Sequence, residues 1–253
     1  MQEISERHRR WVANHFGSKV RELQYHLEAI VAACDQSLAL FASGQTVPRE
    51  NNQAVVYGFS AFANVVQTLK DAVKTVTGEQ LPWSKIVQLR HGAFMRDARN
   101  AATHDGNPVV SAWVDGRYFV PAKMVRLDDR GQVIEIPAPT KDIRTLSLEF
   151  AEDLCQLLRE TLTGLESVEQ LRGALFNMAE LEEAIIESNV MPEFVKELFE
   201  SNRQEIATSL REVKHDPVDQ AIGYLAALIQ YCELKQDQTS SLADNSLMVC
   251  PRS

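Results

Sequence analysis

No stretch of the 253-residue sequence approaches 18 consecutive apolar residues, and Met1 to Arg7 carries no apolar segment of the kind that leads a chain into export. A soluble, cytoplasmic protein without membrane contact is therefore expected. The four cysteines, Cys34, Cys155, Cys232 and Cys250, are scattered with no Cys-x-x-Cys pair, and the first three fall at apolar helical positions. Buried thiols are expected, and neither a disulfide framework nor a zinc site. Gly-rich phosphate cradles and the G-x-S-x-G elbow are missing, which argues against nucleoside-triphosphate folds and serine hydrolases. No two histidines stand at metal-ligand spacing with a carboxylate or thiolate nearby, and Glu182, Glu183 and Glu187 read as a solvated face. No metal and no cofactor is expected.

Positive charge is in short supply. With 26 Lys and Arg against 35 Asp and Glu, the net charge is −9 and the isoelectric point about 5.2. A protein that coats nucleic acid through bulk electrostatics is excluded by this balance, and any RNA contact has to be local. One local candidate exists: Lys85 to His104 carries Lys85, Arg90, Arg96 and Arg99 against the single acid Asp97. The bland alternative is a solvated face whose charges balance elsewhere.

What the chain does have is helical periodicity. Val20, Leu23, Leu27, Ile30, Cys34, Leu38 and Phe41 recur at three- and four-residue steps after Gly17-Ser18, which predicts a long amphipathic helix closed by Gly44. Ile4 to Phe16 reads as a separate short helix. A second long helix runs from about Gln53 to Thr77, with Gly78 just past its end. A third starts from Ser84 as N-cap and covers Lys85 to His104; a fourth starts from Thr140 and carries Ile143, Leu146, Phe150, Leu154, Leu157, Leu158, Leu162 and Leu165. Between Val109 and about residue 137 the period changes to that of strands. Asp115-Gly116 between two apolar runs is a strong hairpin signal, and a second hairpin around Asp128 to Gly131 completes a small antiparallel meander. The expected fold is mainly α, a four-helix bundle over residues 1–165 with a β insertion at about 109–137. A helical extension follows at 166–235, with helices from Val168, Met191 and Pro217, and the polar tail 236–253 reads as disordered.

The chemistry gathers where the third helix runs out. On a wheel of about 100° per residue, Arg96, Arg99, Asn100, Thr103 and His104 share a polar sector about 140° wide, opposite Phe94, Ala98 and Ala101. Arg99 and His104 form its two edges, so they would flank a groove and not stack. An arginine offers a rigid fork to phosphate, and a histidine moves protons near neutral pH. Arg followed by His five residues later occurs three times, as Arg10/His15, Arg21/His26 and Arg99/His104. Only the third copy has Asn next to the arginine and a helix-ending Asp105-Gly106-Asn107-Pro108 after the histidine. His15 and His26 lie on or beside apolar rows, His91 reads as a packing residue, and His215 as support for a helix start.

Arg99-Asn100-Ala101-Ala102-Thr103-His104 resembles the motif of the HEPN superfamily, helical-bundle domains whose ribonuclease members carry an Arg, a polar residue, a short gap and a His near the end of a core helix. The resemblance covers roughly residues 18 to 165. It implies a metal-independent endoribonuclease of a toxin or antiphage-defence setting, a homodimer in which two motifs meet, and a possible antitoxin or defence partner. In that reading Arg99 and His104 are catalytic, with Asn100, Arg96 and Thr103 supporting, and the products are a cyclic phosphate and a 5′-hydroxyl. Gly106 stands where toxins regulated by tyrosine modification carry a Tyr two residues after the His, so that regulation is not expected. The alternative is a non-catalytic bundle using the same face for dimerisation or nucleotide binding.

Overall fold

The computed structural model describes residues 2–106, 109–127, 130–165 and 168–247, with side chains between residues 5 and 238. In chain order the helices are α1 (Gln2–Ala42), α2 (Arg49–Thr77), α3 (Trp83–Ile86), α4 (Gly92–His104), α5 (Ile143–Thr163), α6 (Met178–Ile186), α7 (Glu193–Ser201), α8 (Arg203–Glu212) and α9 (Pro217–Leu247). Between α4 and α5 lie strands β1 (Ala112–Val114), β2 (Arg117–Phe119), β3 (Met124–Leu127) and β4 (Val133–Ile136). The fold is mainly α with a small β insertion, as expected. Asn107, Pro108, Asp128, Asp129 and Cys250 of the sequence reading lie outside the described residues.

The core is built by the four long helices α1, α2, α5 and α9. Phe16, Val20, Leu23, Leu27 and Ile30 of α1 are buried against Val55, Phe59, Phe62, Val66, Leu69 and Val73 of α2, each such side chain contributing about 1.5–3 kcal/mol on burial. α2 stops where predicted, with Gly78 in the left-handed region (φ 79°) donating its N–H to Lys74. α5 starts from Asp142 and not from Thr140: the Asp142 carboxylate accepts the Thr145 N–H at 3.1 Å. The carboxylate does what the Thr140 hydroxyl, two residues too far upstream, cannot.

Three expectations along the main bundle are corrected. The N-terminal segment is not a separate helix, because α1 runs unbroken through Gly17. A Cβ at Gly17 would stand 3.0 Å from Tyr224 Cδ2, so this glycine is where α9 comes close and is not a break. Nor does the core end at residue 165. Val218, Ala221, Leu225, Leu228 and Cys232 of α9 are buried in the same cluster as α1 and α5, and Arg144 joins all three helices through Asp35 Oδ1 and the Lys235 carbonyl. α9 also continues to Leu247, through the first part of the stretch read as a tail. Helix anchored by a core propagates one hydrogen bond per residue, and Gln236 is tied to Glu152 Oε2 at 2.8 Å.

The region between α5 and α9 is more broken than its periodicity suggested. In place of a helix from Val168 there is a 3-10 turn, Glu169–Leu171, followed by α6; the pattern from Met191 divides at Asn202 into α7 and α8. α6 is fixed by a reciprocal cap between Asn177 and Glu180. The Glu180 carboxylate also meets Arg7 at 3.1 Å and Arg10 at 3.7 Å, which binds this peripheral helix to α1.

The β insertion is two separate two-stranded sheets, β1–β2 and β3–β4, and not a continuous meander. Asp115 and Gly116 make the first turn with positive φ (49° and 79°), the geometry that lets a two-residue loop follow strand twist. A Cβ on Gly116 would lie 2.9 Å from Phe41 Cβ and 3.0 Å from Leu38 Cα, so the turn is seated on the end of α1. Tyr118, Val120 and Ile136 are buried and join the insertion to the core.

Candidate functional site

The helix that carries the motif is shorter than its pattern. Ser84 does not begin a helix to His104, because the chain turns after Ile86, His91 adopts φ 61° and α4 begins at Gly92. There a Cβ on Gly92 would sit 1.9 Å from the Ile86 carbonyl oxygen. No side chain fits such an approach, and this is the physical reason for the break. The wheel over residues 96–104 is unaffected, since all of them lie within α4. Phe94, Met95, Ala98 and Ala101 are buried, while Arg96, Arg99, Asn100, Thr103 and His104 lie on the partly or fully exposed side.

The five residues differ in what holds them. Arg99 Nη1 donates to the Asn100 side-chain oxygen at 3.0 Å, and Arg99 Nε is a buried nitrogen without a hydrogen-bond partner. Asn100 thus orients the arginine. A buried donor left unsatisfied in this way is uncommon and calls for an explanation in terms of strain or function. Thr103 donates to Asn64 Oδ1 of α2 at 2.7 Å, so it secures the helix end. Arg96 is committed to its neighbour Asp97, with contacts of 2.7 and 3.1 Å. His104 is exposed, at the last position of α4.

Residues outside the motif complete the surroundings. Arg126 of β3 donates to Asp105 Oδ2 at 2.8 Å, which clips the second hairpin to the end of α4. The Arg126 side chain holds the Asp105 carboxyl below its ordinary value, and the neighbouring His104 acts in the same direction. On α2, burial pushes the Asp71 carboxyl up, but hydrogen bonds from Gln67 and Lys70 outweigh it, and the positive charges of Lys70 and Arg99 add to them; the net shift is downward. Asp71 also lines a cavity of about 420 Å³ with Trp11, His15, Lys19 and Thr68 between α1 and α2. Asn64, Asp71 and Arg126 were not identified from the sequence. Asn64 and Asp71 are seven residues apart on the polar side of α2, a helical spacing that shows a shared face but not what crosses it.

The basic island is neutralised in part. Arg90 pairs with Asp153 and Glu152 of α5, His91 Nε2 lies 2.6 Å from Glu149 Oε2, and Arg96 is held by Asp97. Arg90 and Arg96 thus follow the bland reading of a balanced face, whereas Lys85 and Arg99 have no ion pair among the described residues. The other two Arg/His spacings serve structure: Arg10 reaches Glu180, and Arg21 lies over the Tyr224 ring at 5.9 Å. The Trp11 and His15 rings meet at a tilt of 56°, with centroids 4.5 Å apart.

Cys34, Cys155 and Cys232 are free thiols inside the core, and burial pushes all three up, Cys232 to about 12. Among the described residues no group of three or more His, Cys, Asp or Glu is placed to hold a metal ion, and no helix is long and apolar enough to cross a membrane. No family model, curated protein or solved structure matches the chain.

Proposed function

We propose that the protein is a metal-independent endoribonuclease of HEPN type, working as a homodimer in which the ends of two α4 helices share one RNA phosphate. The observation that supports this most directly is Arg99: its Nε is buried without a partner, on the same helix end as an exposed His104. In the reaction a ribose 2′-hydroxyl attacks the adjacent phosphorus, its proton passes to a neutral His104, and the leaving 5′-oxygen takes a proton from the second protomer's protonated imidazole. Arg99 neutralises charge on the phosphorane. Asn100 holds the Arg99 fork, and Thr103 fixes the helix end. Arg96 can position the RNA backbone only by exchanging Asp97 for phosphate. A toxin or antiphage-defence setting, with an antitoxin or defence partner, follows from the resemblance of the motif.

The competing reading is a non-catalytic module that uses the same face for dimerisation or nucleotide binding, and the neutralised charges of Arg90 and Arg96 favour it. Single-stranded RNA incubated with the protein in excess chelator separates the two. Cleavage to cyclic-phosphate and 5′-hydroxyl ends is expected, with no dependence on added divalent metal. Intact RNA under all conditions would leave the binding module. Light scattering is expected to show a dimer when RNA is present, and a monomer at every concentration would remove the shared site.

A further inference from the structure

A second cavity, of about 440 Å³, opens where the loop between α1 and α2 meets the first hairpin. Its volume is within the range of small-ligand sites. One wall is aromatic, made of Trp113 and Tyr118. Trp113 is 44% exposed and yet held in place: its indole N–H donates to Ser37 Oγ at 3.0 Å, and Phe41 meets its ring edge-on at 5.6 Å. Ser37 is fully buried. A buried hydroxyl thus fixes the Trp113 ring, Tyr118 beside it is buried, and Gly116 seats their hairpin against Leu38 and Phe41. Leaving so large an apolar face in water is costly, so a ring held rigid and half exposed is a binding surface prepared in advance.

The other wall comprises Pro48, Arg49, Asn52 and Gln45, and no carboxylate lines the cavity. Arg49 has no ion pair and no side-chain hydrogen bond among the described residues, whereas Arg90, Arg96, Arg117 and Arg144 are all paired with acids. A wholly apolar ligand would leave Arg49 and the two amides desolvated without partners. A cation would find no carboxylate there and would be repelled by the guanidinium.

We propose that this cavity binds a small molecule that combines a planar ring with an anionic group, the ring stacking on Trp113 and the anion taken by the Arg49 fork. The site is separate from the α4 motif and does not depend on the ribonuclease reading. Calorimetric titration of the full chain with AMP and with 2-naphthoate, and with neutral adenosine as reference, tests it. At least one of the two anions is expected to bind saturably at one site per chain; whichever does so distinguishes a phosphate from a carboxylate ligand. Arg49→Ala is expected to weaken that binding ten-fold or more, Trp113→Ala to abolish it and Trp113→Phe to retain it, with adenosine binding more weakly than AMP. Arg99→Ala should leave it unchanged. Because Arg49 is exposed at the helix start and touches no partner, its variant folds even if removal of Trp113 disturbs the hairpin. The proposal is overturned if neither anion saturates the protein at millimolar concentration, if Arg49→Ala binds like the parent, or if binding is lost with Arg99 instead.

Discussion

The two ends of α4 are built on opposite plans. At its beginning the backbone is locked, with Gly92 against the Ile86 carbonyl and His91 in a left-handed turn, and both Arg90 and His91 are matched to acids of α5. At its end Thr103 and Asp105 hold the backbone through Asn64 and Arg126, while Arg99 keeps a buried donor unused and His104 faces solvent. One end is optimised for position; the other leaves polar capacity unspent. Residues that carry function commonly give up local stability in this way, so the contrast predicts where substitutions change activity and where they change folding.

The largest effect is expected at the open end. Arg99→Ala and His104→Ala should each reduce RNA cleavage by about 10²- to 10⁴-fold while the far-ultraviolet circular dichroism and melting curve stay close to those of the parent. Arg10→Ala and Arg21→Ala should retain cleavage, since Arg10 serves Glu180 and Arg21 serves Tyr224. Full activity in folded Arg99 and His104 variants would end the assignment of this site.

At the locked end the effect should appear in stability. Gly92→Ala places a methyl group 1.9 Å from a backbone oxygen, and backbone cannot yield as a flexible side chain does. A loss of about 3 kcal/mol or more is expected, read as a lower urea midpoint with an unchanged slope. A midpoint equal to the parent's would mean that the junction between α3 and α4 is soft, and the two ends of α4 would then differ less than their geometry indicates.

The ion pair beside this junction gives a smaller, pH-dependent signature. Burial pushes the Asp153 carboxyl up, but hydrogen bonds from the side chain and backbone N–H of Arg90 outweigh it, and the net shift is downward from the ordinary value of 3.8. A carboxyl depressed in the folded state stabilises the fold above its unfolded value and loses that contribution as pH falls through the folded value. The Arg90 side chain is 44% exposed, so solvent screening limits the pair to about 1 kcal/mol or less. Asp153→Asn should therefore lower the melting temperature by a few degrees at neutral pH, with the gap to the parent closing at pH well below 3.8. A gap that stays constant across that range would assign the loss to packing and not to charge.

How much of this could be read in the sequence depends on the range of the interaction. The faces of α1, α2 and α5 were legible because a 3.6-residue period repeats over many turns, and Asp115-Gly116 because one turn type demands those residues. Placement of the motif on a polar sector of α4 was legible for the same reason. What was not legible depends on contacts between distant segments. Gly17 lies within an unbroken helix where Tyr224 of α9 crosses it, whereas Gly92 begins α4 against the Ile86 carbonyl. The role of α9 as a core helix was hidden by its position after a run of short helices, and the neutralisation of Arg90 by acids some sixty residues away. Asn64, which holds Thr103, belongs to the same class.

That last contact provides the finest test of the contrast between the two ends. The Thr103 hydroxyl donates to Asn64 Oδ1 at 2.7 Å, on an exposed surface. A solvent-exposed neutral hydrogen bond contributes at most about 1 kcal/mol, and its groups can return to water when it is removed. Thr103→Val keeps the shape of the side chain and should shift the melting temperature only slightly. If this bond holds Arg99 and His104 in the geometry needed for phosphate, however, the same substitution should slow cleavage by several-fold, because small displacements of reacting groups are costly. Thr103→Ser restores the donor and should restore the rate. Loss of rate without loss of stability, recovered by serine, would identify Thr103 as a positioning residue. Equal rates in all three proteins would show that the open end of α4 needs no support from α2.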